Sequence, residues 1–192
     1  MRAVQALAVV TLGFLLGSIP FPYLLTRRRG IDLRTVGSGN VGATNALRVS
    51  SPGTAITVLA LDVTKGSLAV WLAGVLTPQP ALVVCAGLAA VAGHVYPPWI
   101  GFRGGKGMAT TAGVFAVLAP AAAAVSAVIF VALIAASRYV SLGSLGAMAA
   151  LPPHVRAMVD DHERGRRARA GQHGGRGAEP CRERRQRGHR PE

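Results

Sequence analysis

Acidic side chains are almost missing from the first 151 residues of this 192-residue chain. Asp32 and Asp62 are the only two, against ten lysines and arginines. No carboxylate is therefore placed as an obvious general base. Cysteine is equally sparse. Cys85 lies in an apolar run and Cys181 near the C-terminus, a pair that gives neither metal-ligand spacing nor a disulfide framework. Residues 160–192 contain no Leu, Ile, Val or Phe. Such a segment, made of Arg, Gly, Ala, Glu and Gln, cannot bury a core and is expected to be a disordered basic tail drawn to anionic lipid.

What is present is apolar. Hydrophobic residues make up 51% of the chain and the mean hydropathy is +0.39, which is not the composition of a soluble domain. A pI near 11.6 could suggest nucleic acid. The cations of residues 1–151, however, gather in short loops between apolar runs, the arrangement of the positive-inside rule. The charge thus speaks for membrane orientation and anionic ligands, with no nucleic acid. The expected fold is an all-α, polytopic membrane helix bundle of four or five hydrophobic segments in residues 1–151, with 152–192 as the disordered tail.

Residues 3–25 are nearly all apolar and then meet Arg27, Arg28 and Arg29. The run is too long for a signal peptide, and no small-residue cleavage site follows it. It reads as a first span, with the arginines setting the loop at 26–53 on the cytoplasmic side. Gly17-Ser18-Ile19-Pro20-Phe21-Pro22 interrupts its far end. A proline there frees a backbone carbonyl that needs another partner in lipid, so this end is either bent against a cavity or frayed.

The first loop holds Gly37-Ser38-Gly39-Asn40-Val41-Gly42-Ala43-Thr44-Asn45, with Arg48 close behind. Residues 37–42 match G-x-G-x-x-G, and Asp62 follows at the spacing of a dinucleotide-binding acid. That motif requires a buried strand before it and a strand–helix–strand unit around it, whereas a charged loop precedes it here and a long apolar run follows. The alternatives are an anion-binding nest or a plain surface turn. Residues 54–76 form a second span with Asp62 and Lys65 on one helix face. Charges at that depth call for a partner or a polar interior, as an internal ion pair or in direct contact with substrate. The third span, 81–96, ends at His94, which suits a general base, a phosphate donor or a simple hydrogen-bonding residue. Tyr96 and Trp99 follow as interfacial anchors.

The chain then returns to the first loop's side with Gly101-Phe102-Arg103-Gly104-Gly105-Lys106-Gly107-Met108. Backbone N–H groups of such a loop can converge on an anion, Lys106 adds a full charge, and a helix starting near Met108 points its positive end at the same place. It is not a Walker A loop, since Gly101 precedes Gly105 by four positions and Gly107 follows the lysine. Two basic, glycine-rich loops on one face predict a phosphate site at a membrane surface. Residues 108–136 are divided by Pro120; one tilted helix would send Arg138 to the opposite face, whereas two half-length helices, which the positive-inside tendency favours, would bring Arg138, Ser141 and Ser144 back to the loops.

The ordered set of Gly37–Asn45 with Arg48, Asp62-Val63-Thr64-Lys65-Gly66, Gly93-His94, Gly104–Thr110 and Ser137–Ser144 resembles the bacterial membrane acyl-phosphate–glycerol-3-phosphate acyltransferases, the PlsY family, over residues 1 to about 144. The resemblance implies transfer of a fatty acyl group from acyl phosphate to the 1-hydroxyl of glycerol 3-phosphate, giving lysophosphatidic acid and phosphate. It implies no metal or other cofactor, a multi-pass place in the bacterial inner membrane, and membrane lipid and an acyl-phosphate-producing enzyme as partners. Carried onto this chain, Lys106, His94 and Arg48 become the candidate catalytic residues. Ser38, Gly39, Asn40, Thr44, Asn45, Arg48, Gly104, Gly105, Lys106, Ser141 and Ser144 become the candidate substrate contacts, supported by Asp62 and Lys65. The other reading of the loops is a membrane carrier or binding protein for a phosphorylated metabolite. The family continues into further helices, up to seven, and a third cytoplasmic motif. Here Gly177-Ala178-Glu179 echoes only that motif's last fragment, so the tail is expected to be a reading-frame slip and the domain truncated.

Overall fold

The computed structural model describes residues 2–151. The expectations for the tail, including Gly177, Ala178 and Glu179, lie outside the described residues. All regular elements among them are helical. They are α1 (Arg2–Ser18), α2 (Phe21–Arg27), α3 (Ala43–Val49), α4 (Pro52–Leu76), α5 (Pro80–Val95), a 3-10 turn (Pro98–Ile100), α6 (Met108–Leu118) and α7 (Pro120–Ser137), followed by α8 (Val140–Leu151). Among the described residues, four stretches are long and apolar enough to cross a membrane: Ala3–Arg27, Pro52–Leu76, Pro80–Ile100 and Pro120–Ser137.

The helices start and stop where local chemistry dictates. Proline opens α4, α5 and α7, where its missing N–H has no partner to lose. Ser51 caps α4, accepting from the Thr54 N–H. In the first span, Pro20 and Pro22 break the ladder between α1 and α2, so the bend expected there is present.

Lipid gives no hydrophobic drive between spans, so they associate by close packing of small residues and by polar contacts. Gly13 and Gly17 on α1 lie against the backbone of Ala86 and Ala90 on α5, and Gly93 of α5 lies against Phe14 of α1. Helices α4 and α6 cross at Gly66 and Gly113, tied by Ser67 Oγ donating to the Gly113 carbonyl at 2.9 Å. The buried stripe of α4 runs through Val58, Asp62, Lys65, Gly66, Ala69, Val70 and Ala73, a helical repeat facing the bundle. Both charges at membrane depth therefore face away from lipid.

Gly17 offers a test of this packing. A side chain there would overlap the Ala90 carbonyl, which belongs to backbone and cannot swing aside. Gly17→Val should cost about 3 kcal/mol, the upper end for overpacking. Thermal unfolding in detergent would show a lowered midpoint, and an unchanged midpoint would contradict the close α1–α5 contact.

After residue 107 the arrangement differs from two half-length helices. Helix α6 has 11 residues, but α7 has 18 and reaches spanning length. Arg138 ends α7 in the left-handed conformation, and α8 folds back so that Gly143 and Gly146 meet Phe130, Leu133 and Ile134 of α7.

Candidate active site

The two glycine-rich loops meet. Gly105 packs directly on the Val41 carbonyl, and Ile100 joins Leu33, Val41, Ala46 and Val58 in one buried apolar cluster. The convergence expected from loop sidedness is thus a physical contact.

The first loop is a folded unit rather than an open nest. Its C-terminal part is helix α3, which the sequence reading took as loop. Asn45 on that helix is 1% exposed. Its Nδ2 donates to the Leu33 and Val36 carbonyls, both at 3.1 Å, and its Oδ1 accepts from the Ser38 N–H at 2.9 Å. Gly37, at φ +62, leaves the space this amide occupies. Asn45 is therefore a staple of the loop. It was expected as a substrate contact, but its amide is already engaged by backbone. Asn45→Ala removes three hydrogen bonds and strands buried backbone groups, at about 1–3 kcal/mol. The expected result is a lowered unfolding midpoint and faster proteolysis within residues 33–42; unchanged cleavage there would argue against the staple.

At the loop's base, Asp32 pairs with Arg34 at 2.7 Å, and the Arg34 guanidinium stacks 4.8 Å from the Tyr23 ring centroid. Hydrogen bonds from Arg34 hold the half-buried Asp32 carboxyl down to about 2. Ser38, Gly39 and Arg48 are exposed, and Asn40 and Thr44 are half-buried.

The central loop is folded over the end of α5. Gly104 N–H donates to the Val95 carbonyl at 3.1 Å, and Gly105 N–H to the His94 carbonyl at 3.2 Å. The last carbonyls of a helix lack intrahelical partners, and this loop supplies them. The expectation that the Gly104 and Gly105 N–H groups face an anion is thereby corrected, because they cap α5. Gly107 precedes α6 without a side-chain cap, so the first-turn N–H groups of α6 remain as backbone donors next to this loop. Lys106 is exposed. Among the described residues, neither Lys106 nor Arg48 has an ion pair or a side-chain hydrogen bond.

Beneath the loops lies a small cleft of about 10 Å³, with Ile19, Pro20, Lys65 and His94 among its lining residues. His94 is 6% exposed, with Nδ1 3.6 Å from Asp62 Oδ1, beyond hydrogen-bond length, and Nε2 against Gly105. Lys65 Nζ lies 2.9 Å from Asp62 Oδ1 and donates to the Ile19 carbonyl at 2.9 Å. The ion-pair reading of Asp62 and Lys65 is therefore the one the geometry carries. Sequence reasoning missed the bond from Lys65 to the Ile19 carbonyl beside the proline break. It also missed Ser18, wholly buried, whose Oγ accepts from Trp99 Nε1 at 2.9 Å and ties the α1 break to the turn before the central loop.

Ser141 and Ser144 are not brought into this group by any hydrogen bond among the described residues. Ser144 Oγ donates to Val140 O within α8, and Ser141 is exposed.

A protein-family model described as glycerol-3-phosphate acyltransferase matches residues 7–163. A glycerol-3-phosphate acyltransferase of Myxococcus xanthus is 55% identical over 144 residues, covering 74% of this chain and 75% of the relative. One from Syntrophomonas wolfei is 45% identical over 149 residues, covering 77% and 76%. Among solved structures, PlsY (YgiH), an integral membrane glycerol 3-phosphate acyltransferase, matches in its glycerol 3-phosphate form with TM-score 0.72 at 39% identity, covering 76% of this chain and 74% of that one. Its lysophosphatidic acid form matches with TM-score 0.69 at 38% identity, covering 76% and 73%.

Proposed function

The chain belongs to the glycerol-3-phosphate acyltransferase family, and from that premise we propose that its acyl donor is an acyl phosphate and its products are lysophosphatidic acid and inorganic phosphate. The observation that carries this is the meeting of two basic loops at Gly105 and Val41, above a cleft at the break in a membrane span. Both substrates carry phosphate, and the donor also carries a chain that belongs in lipid.

In the proposed reaction the 1-hydroxyl oxygen of glycerol 3-phosphate attacks the acyl carbonyl carbon. The carbon–oxygen bond to phosphate then breaks, and phosphate leaves with its electron pair. Phosphate is a good leaving group, so alignment and charge stabilisation supply most of the rate. Arg48, Lys106 and Ser38 take the glycerol 3-phosphate anion. The first-turn N–H groups of α6 and the Thr44 and Asn40 side chains face the donor phosphate, with Gly39 giving the backbone room. A phosphate oxygen accepts the hydroxyl proton. His94 on the cleft wall is the second acceptor within the site, with Asp62 behind its Nδ1 favouring that reading. The proposed setting is the bacterial inner membrane with both loops cytoplasmic, where the arginines at 27–29 fit the positive-inside rule and an acyl-phosphate-producing enzyme would supply the donor. Residues 1–151 are proposed as the acyltransferase domain.

The test gives purified protein radiolabelled glycerol 3-phosphate and palmitoyl phosphate. Labelled lysophosphatidic acid is the expected product. Uptake of label into proteoliposomes without that product would instead make the chain a carrier.

A further inference from the structure

The buried pair on α4 is built for more than helix association. Asp62 and Lys65 side chains are 1% and 3% exposed. Burying an ion pair at this depth is a poor route to stability, because desolvation offsets most of the attraction and apolar residues of similar size serve as well or better. The geometry is also lopsided. Lys65 Nζ stands 2.9 Å from Asp62 Oδ1, yet that oxygen receives no hydrogen bond among the described residues. The carboxylate thus holds the ammonium group in place by charge. The ammonium group's directed bond goes elsewhere, to the Ile19 carbonyl 46 positions away in sequence. The Phe21 ring stands 5.7 Å from the same Nζ, within cation–π range.

Ile19 is the last residue before the proline break. Its carbonyl accepts from the Phe21 N–H at 3.0 Å within the break and from Lys65 across to α4. Without Lys65 the segment from Ile19 to Pro22 would keep its internal turn but lose this tie to α4. That segment lines the cleft together with Val41, Gly104 and Gly105, the parts of the two loops that touch. The break is therefore held from two sides, by the Ser18–Trp99 bond to the turn before the central loop and by one ammonium group anchored on α4.

We propose that Lys65 is a positioning residue for acyl transfer, holding the α1 break at the spacing from the glycine loops that alignment of the two substrates requires, with Asp62 holding Lys65. This rests on the acyl-transfer reading above. Neither residue needs to touch substrate. The expected signature is a fall in kcat with little change in KM, because the phosphate-binding cations Arg48 and Lys106 are left in place.

Lys65→Met alone would leave a buried carboxylate without its partner and could fail to fold. The decisive variant is therefore the double change Asp62→Leu with Lys65→Met, which removes both charges at similar volume. It should unfold near the wild-type midpoint. Its kcat should be at least 10-fold lower, since small misplacements of reacting groups are costly, while KM for glycerol 3-phosphate stays within threefold. Hydrogen–deuterium exchange should rise at the amides of Phe21, Tyr23 and Leu24 and stay unchanged in the middle of α5. A folded double variant with kcat within threefold of wild type, or with unchanged exchange at those amides, overturns the proposal. Wild-type protein that makes no lysophosphatidic acid would instead overturn the acyl-transfer reading, so the two failures are distinguishable.

Discussion

Replacing Gly105 with alanine should lower kcat for acyl transfer by about 100-fold or more while leaving the protein folded. A Cβ at this position would overlap His94 Nε2 and would lie 2.6 Å from the Val41 carbonyl. One neighbour is a buried ring held near Asp62; the other is backbone of the first loop. Neither can yield without moving an element of the site, so the added methyl must push the two loops apart. Displacement by about 1 Å of groups that align two substrates costs on the order of 10²-fold in rate. The spans need not change, because the helix crossings at Gly13, Gly17, Gly66 and Gly113 lie elsewhere. The check is kcat together with circular dichroism and the thermal midpoint. Full activity with an intact fold would mean that the loops do not work at the separation seen here.

The second large effect is expected at Lys106. Its ammonium group is exposed beside the exit of the central loop, and it has no ion pair or side-chain hydrogen bond among the described residues. Truncating it to alanine should therefore disturb the fold little. A hydrogen bond to a charged group is worth about 1.5–3 kcal/mol. At 1.4 kcal/mol per tenfold, Lys106→Ala should raise KM for glycerol 3-phosphate roughly 10- to 100-fold. Lys106→Arg should recover part of the loss, since it restores charge without the same reach. Arg103→Ala, three positions earlier and also exposed, is the control and should change KM less than threefold. An unchanged KM in Lys106→Ala would remove this residue from the phosphate site.

These two glycine-loop residues show where reading the chain succeeded and where it stopped. Apolar runs, proline breaks and loop arginines are one-dimensional signals, and they marked the first three spans and the convergence of the two loops. The Asp62–Lys65 pair was also legible, because three positions on a helix put two side chains on one face. The use made of Gly104, Gly105 and Asn45 was not legible. The two glycines were expected to face a ligand and Asn45 either to face one or to shape the loop, and all three are spent on protein backbone. Glycine and asparagine satisfy a helix end or a turn with the same donors and acceptors they would offer an anion, so residue type alone cannot separate the two uses. The helix within the first loop escaped for a related reason, since seven residues rich in Asn, Thr and Gly neighbours carry little periodic signal.

By itself the sequence determined that this chain is helical, that it lives in a membrane, and that its basic, glycine-rich loops share one face. Those properties follow from hydropathy, proline placement and charge asymmetry, each a sum over neighbours along the chain. Only the tertiary structure decided which polar groups remain free to meet a ligand and which are consumed in building the site. That Lys65 reaches the Ile19 carbonyl and that Gly105 rests on Val41 are outcomes of contacts between residues distant in sequence. Hydrogen-bond partners of that kind are settled only when the helices pack.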